Sequence, residues 1–158
     1  CINNESTFCV GKNLETVGQI VSEVKIIEHQ DISNAEQLVV VECVGIYKVI
    51  DLELTKEYPI CQSDELINVG LPPSEKELMD LQTDIKKAIS ILIEQGIDMQ
   101  IPDFEIDIEN RILSLWNLCT KIPMSLEMRN EILSINSIDD RYDVLNNYVK
   151  RILKDPFK

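Results

Sequence analysis

A single histidine, His29, serves a chain of 158 residues, and its five cysteines include no C-x-x-C pair. A Cys/His zinc site therefore lacks ligands, and Cys1, Cys9, Cys43, Cys61 and Cys119 are odd in number and too scattered for a disulfide framework. Buried or half-buried thiols in a reducing cytoplasm are the expected state. No G-x-S-x-G or H-E-x-x-H is present, and Lys12 has neither the upstream glycine nor the following Ser or Thr of a phosphate-cradling loop. His29, placed before "QDISN", reads as a solvent-facing loop residue, with no third group to orient it toward a cysteine. The chain thus shows no catalytic, cofactor-binding or metal-ligating residue.

Long apolar runs are also lacking. None approaches the roughly 18 consecutive residues of a membrane helix, and the N-terminus has no basic or apolar leader. Positive charge is scarce, because 15 Lys and Arg face 28 Asp and Glu for a net charge of −13. That balance repels nucleic-acid phosphates and anionic membrane surfaces, so neither is an expected partner. A start at Cys1 in place of Met suggests a fragment in preference to a lipid-bearing mature cysteine. What remains is 44% hydrophobic and 27% charged, enough apolar material for one real core or two closely packed halves.

Residues 1–68 read as a β sub-domain. "VGQIVSEVKIIE" (17–28), "EQLVVVECV" (36–44), "IYKVIDLEL" (46–54) and "YPICQSDELI" (58–67) are rich in β-branched residues and largely alternate. "HQDISNA" and "TKE" serve as turns, and an antiparallel meander is the simplest pairing. Gly45 interrupts one long run, as a bulge or bend that curls a sheet would.

From Ser74 the period lengthens, defining a helical sub-domain over 74–158. Ser74 and Glu77 form a capping box behind a Pro-Pro stop, and Leu78, Leu81, Ile85, Ala88, Ile89 and Leu92 make a stripe ending near Gly96. A second helix carries Ile108, Ile112, Leu115, Trp116 and Cys119 as far as Pro123, and Ser125 caps a third. Ser137, Asp139 and Asp140 restart the chain as a fourth, whose apolar stripe of Ile138, Tyr142, Leu145, Tyr148, Val149 and Ile152 needs a partner surface. Strands first and helices after predict an α+β fold, a curled antiparallel β-sheet or partial β-barrel followed by an α-helical bundle.

"DFEIDIEN" places Asp103, Glu105 and Asp107 like the start of a calcium loop. Ile108 stands where the loop needs glycine and Ser114 where it needs a bidentate Glu, which leaves an acidic lead-in to a helix. Trp116, Met124 and Met128 surround the Pro123 turn. Such adaptable side chains suit either a core or a binding surface, the core being the commoner use.

In its order of motifs the chain resembles the Lon N-terminal, substrate-binding domain family, found at the front of Lon proteases and as stand-alone proteins. Phe8 and Val10 match the segment ending Phe-Gly-Val-Val, with Cys9 in place of Gly. Val17, Gly18 and Val21 match the next strand, Gly45 and Val49 the one after, where Tyr47 and Lys48 replace Arg and Phe, and Tyr58 and Leu66 the last. Pro123, Leu133, Asp140 and Arg141 match the closing helical signature.

The resemblance implies one LON-like domain that recognises unfolded or degron-bearing proteins without catalysis. The ATPase and Ser-Lys peptidase motifs of an ATP-dependent protease are not in this stretch. It implies contacts through apolar surface near the β/helix junction, with Phe104, Met124 and Met128 as candidates, and no cofactor. The family's usual first strand and Phe-Pro-Gly segment do not precede Phe8, so that strand is expected to be missing. The alternative is a structural module that oligomerises or docks onto a larger assembly through its last helix.

Overall fold

The structure, a computed structural model, describes residues 7–12, 16–33 and 36–155. Its strands are β1 (Thr7–Val10), β2 (Ile20–Ser33), β3 (Glu36–Glu53) and β4 (Ile60–Glu65), followed by helices α1 (Glu75–Glu94), α2 (Arg111–Lys121), α3 (Leu126–Ser134) and α4 (Ile138–Lys154). Contacts divide the chain into a unit through Ile67 and a unit from Asn68 onward.

In the first unit the strands pair antiparallel in the order β1-β2-β3-β4. The sheet curls until Cys61 Sγ lies 4.0 Å from Cys9 Sγ, although these residues sit on its first and last strands. No ladder joins β1 to β4 among the described residues, so the sheet stays open. Val21, Val24 and Val49 are its buried apolar residues.

Of the two expected turns, "TKE" keeps its place between β3 and β4, while "HQDISNA" is mostly strand, with Glu28 opposite Val40, His29 opposite Val39 and Gln30 opposite Leu38. The segments 36–44 and 46–54 belong to one strand, β3. Polar residues tolerate this pairing because the ribbon beyond Ile26 is exposed on both faces and needs no apolar alternation. His29 is therefore an exposed strand residue, not a loop residue.

Gly45 does mark a bulge. Glu23 pairs with Gly45 and Val24 with Cys43, which leaves Val44 as the extra residue. A Cβ on Gly45 would stand 2.6 Å from the Tyr47 ring, so glycine lets that ring lie across the strand. Register shifts between Ile26/Glu28, Asp31/Ser33 and Val49/Asp51 likewise leave Ile27, Ile32 and Ile50 over. Each residue left over is β-branched, apolar and exposed by about half.

The helical unit follows its local signals closely. Ser74 Oγ accepts from the Glu77 amide while the Glu77 carboxylate accepts from Ser74 N–H at 2.7 Å, the two halves of a capping box. The Ser74 hydroxyl, which donates to the same carboxylate at 2.6 Å, and then the Ser74 amide hold the Glu77 carboxyl below its usual range. Ser125 and Ser137 cap α3 and α4 the same way, through the Met128 and Asp140 amides. Gly96, at φ 91°, ends the α1 turn in the left-handed region that suits glycine.

The stripe of α1 packs on α2 and on α4. The partner needed by the α4 stripe is thus inside the unit, with Ile138, Leu145, Val149 and Ile152 buried in one cluster with Leu78, Ile85, Ile89 and Leu115. The apolar face of α4 is therefore covered within its own unit. Val69 donates to Asn136 O and accepts from Ile138 N–H, each at 2.8 Å, stitching the lead-in of α1 to the α3–α4 hinge.

Candidate functional site

Within the helical unit, α2, the Pro123 turn and α3 enclose a cavity of about 300 Å³ lined by Trp116, Cys119, Met124, Ile132 and Leu133 with Thr120, Arg129 and Asn130 at its polar side. Its walls follow from the sequence: α2 turns Trp116 and Cys119 to one face, and the proline ends that helix so that the chain folds back. The Tyr148 hydroxyl donates to Pro123 O at 2.7 Å and holds the turn that presents Met124. Burial raises the Tyr148 pKa from its ordinary value, and the Arg151 charge opposes the rise.

Behind Trp116 sits Arg141, buried to 1% exposure among apolar helices. Its guanidinium carbon stands 3.9 Å from the Trp116 ring centroid, and Nη2 donates to Asn68 Oδ1 at 2.9 Å and to Ile135 O. Burial lowers the Arg141 pKa, offset by Cys119. Burial also pushes the Cys119 thiol up to about 12, with the Arg141 charge pulling the other way. A thiol so held is protonated and inert at neutral pH.

Of the three candidate contacts, Met124 lines the cavity while Phe104 and Met128 are outside its lining. Phe104 is half-buried in the lead-in to α2. Its carbonyl accepts from Gln82 Nε2 at 2.7 Å, and Lys86 and Lys121 place their ammonium groups 5.3 and 5.9 Å from its ring centroid. Met128 packs half-buried on the helical core. Trp116 does both jobs, resting on the core and forming a cavity wall.

The acidic lead-in is a cap. Asp107 Oδ1 accepts from the amides of Glu109 and Asn110, and the buried Ser114 hydroxyl accepts from Asp107 N–H at 2.8 Å and donates to Asp107 O at 3.0 Å. Ser114, read as a defect in a calcium loop, is the pin of this turn. Cysteine exposure also departs from expectation in one place: Cys9, Cys61 and Cys119 are half-buried, whereas Cys43 is exposed on β3. Cys1 lies outside the described residues.

In the sheet unit the notable surface is the β2–β3 ribbon beyond Ile26. Ile27, Ile32, Leu38, Val39, Val40, Val41 and Val44 are exposed there by 38% to 60%. Single exposed apolar residues are ordinary, but seven on one ribbon are more than a strand with one buried face leaves out. Glu28, Asp31, Glu36 and Glu42 lie among them. The signal was present as "EQLVVVECV", whose unbroken valines exceed what a strand with one buried face requires.

A four-stranded open antiparallel sheet followed by four helices places the chain in the α+β class. The fold is that of a Lon protease N-terminal domain: the chain is similar to the solved N-terminal domain of the Lon protease of Mycobacterium avium complex at a TM-score of 0.57 and 12% identity, over 91% of this chain and 77% of that one. No family model and no curated protein matches the sequence. Among the described residues, no helix is long and apolar enough to cross a membrane.

Proposed function

We propose that the chain is a non-catalytic module that recognises unfolded or degron-bearing polypeptide segments, taking their apolar side chains on the β2–β3 ribbon and, separately, at Met124 in the helical cavity. The observation that carries this reading is the ribbon, which displays seven large aliphatic residues from Ile27 to Val44 with no core of its own. The fold, shared with the N-terminal domain of a protease, supports it. Acidic residues among the aliphatic ones favour segments that mix apolar and basic side chains, and the net charge of −13 draws them in at low salt. The lone histidine is exposed and stands opposite Val39 on the ribbon.

Fluorescence anisotropy with a labelled, permanently unfolded apolar-basic peptide tests this. Saturable binding is expected, weakened about tenfold by a Val39→Ser/Val41→Ser double variant and less by Met124→Glu, with the helical content of each unchanged. Absence of binding, or binding indifferent to these changes, overturns it. If the ribbon variants instead abolish a concentration-dependent dimer seen by light scattering, the ribbon is a self-association surface and the chain a structural module.

A further inference from the structure

Cys9 and Cys61 are 52 positions apart, on the two end strands of the sheet, and yet their sulfurs are in contact at 4.0 Å. Both line one mostly apolar cavity of about 450 Å³ inside the curl, together with Phe8, Val21, Val49 and Leu52. Each end strand is short and paired on one side, β1 to β2 and β4 to β3. The other described thiols are placed differently: the Cys43 S–H group is directed at Gly45 O, and Cys119 is on α2 in the helical unit.

We propose that Cys9 and Cys61 form a reversible thiol–disulfide modification site, oxidised by a small-molecule disulfide of the glutathione class, whose bond clips β1 to β4 and closes the sheet around its cavity. A disulfide needs its sulfurs about 2.0 Å apart, so the two thiols, now at 4.0 Å, must close by about 2 Å. The chemistry balances as two exchanges. The first thiolate to form attacks the small disulfide, making a mixed disulfide and releasing one small thiolate. The second protein thiolate attacks the protein-bound sulfur of that mixed disulfide and expels the other small thiolate. Two protein thiols and one small disulfide become one protein disulfide and two small thiols, with two electrons and two protons passing to the small molecule.

Burial, the Cys61 sulfur and Glu23 push the Cys9 thiol up to about 11, so Cys9 attacks slowly near neutral pH. Once formed, the bond ties both outer strands of the sheet together.

The test uses the full chain, equilibrated in graded ratios of glutathione to its disulfide, quenched by alkylation and read by intact mass and peptide mapping. The expected product is a monomer lighter by two hydrogens, with the Cys9 peptide joined to the Cys61 peptide, returned to the dithiol by excess thiol. Amide exchange in β1 and β4 should slow about tenfold in that product. Cys9→Ser and Cys61→Ser should each lack it, and Cys43→Ser should keep it. Stable glutathione adducts without an internal link, or links scattered through Cys43 or between chains, overturn the proposal on the unmodified sequence alone, whatever the variants do.

Discussion

Fourteen apolar residues are sealed in the helical cluster, against Val21, Val24 and Val49 in the sheet. The two units spend similar sequence on opposite ends. The helices turn their apolar stripes inward, whereas the sheet leaves many of its aliphatic residues exposed. A region that need not bury its apolar surface is free to present it to something else.

The sharpest way to break this contrast is Leu145→Ala, at a residue with 0% exposure, which should cost about 2–5 kcal/mol by chemical denaturation. A loss under about 1 kcal/mol would mean that the helical core is loosely filled. Next comes Arg141→Ala, which removes the cation from the Trp116 face and leaves Asn68 and Ile135 O without its donor. A cost of about 2–4 kcal/mol is expected, with Arg141→Met recovering part of it through packing alone.

The pH dependence is smaller. Cys119 titrates near 9.0 when unfolded and at about 12 in place, so the folded state holds the proton longer. Its contribution is complete below pH 9.0 and is lost as pH rises toward about 12. Stability should fall by about 1 kcal/mol near pH 10, and Cys119→Ala should flatten that slope. Smallest of all, Val40→Ser on the ribbon should change stability by under about 0.5 kcal/mol, because the side chain is already 38% exposed with no core beneath it. A large loss there would show that the ribbon is packed and would erase the difference between the units.

The helices were legible because their signals are local. Ser74, Ser125 and Ser137 act on amides three residues on, and the stripes follow one period. Arg141 is spaced correctly for the α4 stripe, three residues after Ile138 and four before Leu145, but its charge masked it. The bulge at Gly45 was readable from a glycine in a β-rich run. The length of the β2–β3 ribbon was not, since ribbons exposed on both faces have no hydrophobic alternation to read. The Cys9–Cys61 contact was also invisible, because only the curl of the sheet brings the two together. Of the residues proposed as contacts, Met124 could be found from the Pro123 turn, while the ribbon valines were read only as strand.

The four ladder irregularities bear on how so much displayed aliphatic surface stays out of trouble. Past the reach of β1 and β4, the β2–β3 ribbon has two backbone edges with no ladder partner among the described residues, the geometry on which cross-β stacking propagates. Insertions at Ile27, Ile32 and Val44 put that ribbon out of step with any regular strand laid beside it. Its side chains remain adhesive while its amides and carbonyls present no continuous template. The proposed contact with a passing chain would then not require the ribbon to seed a fibril of its own kind.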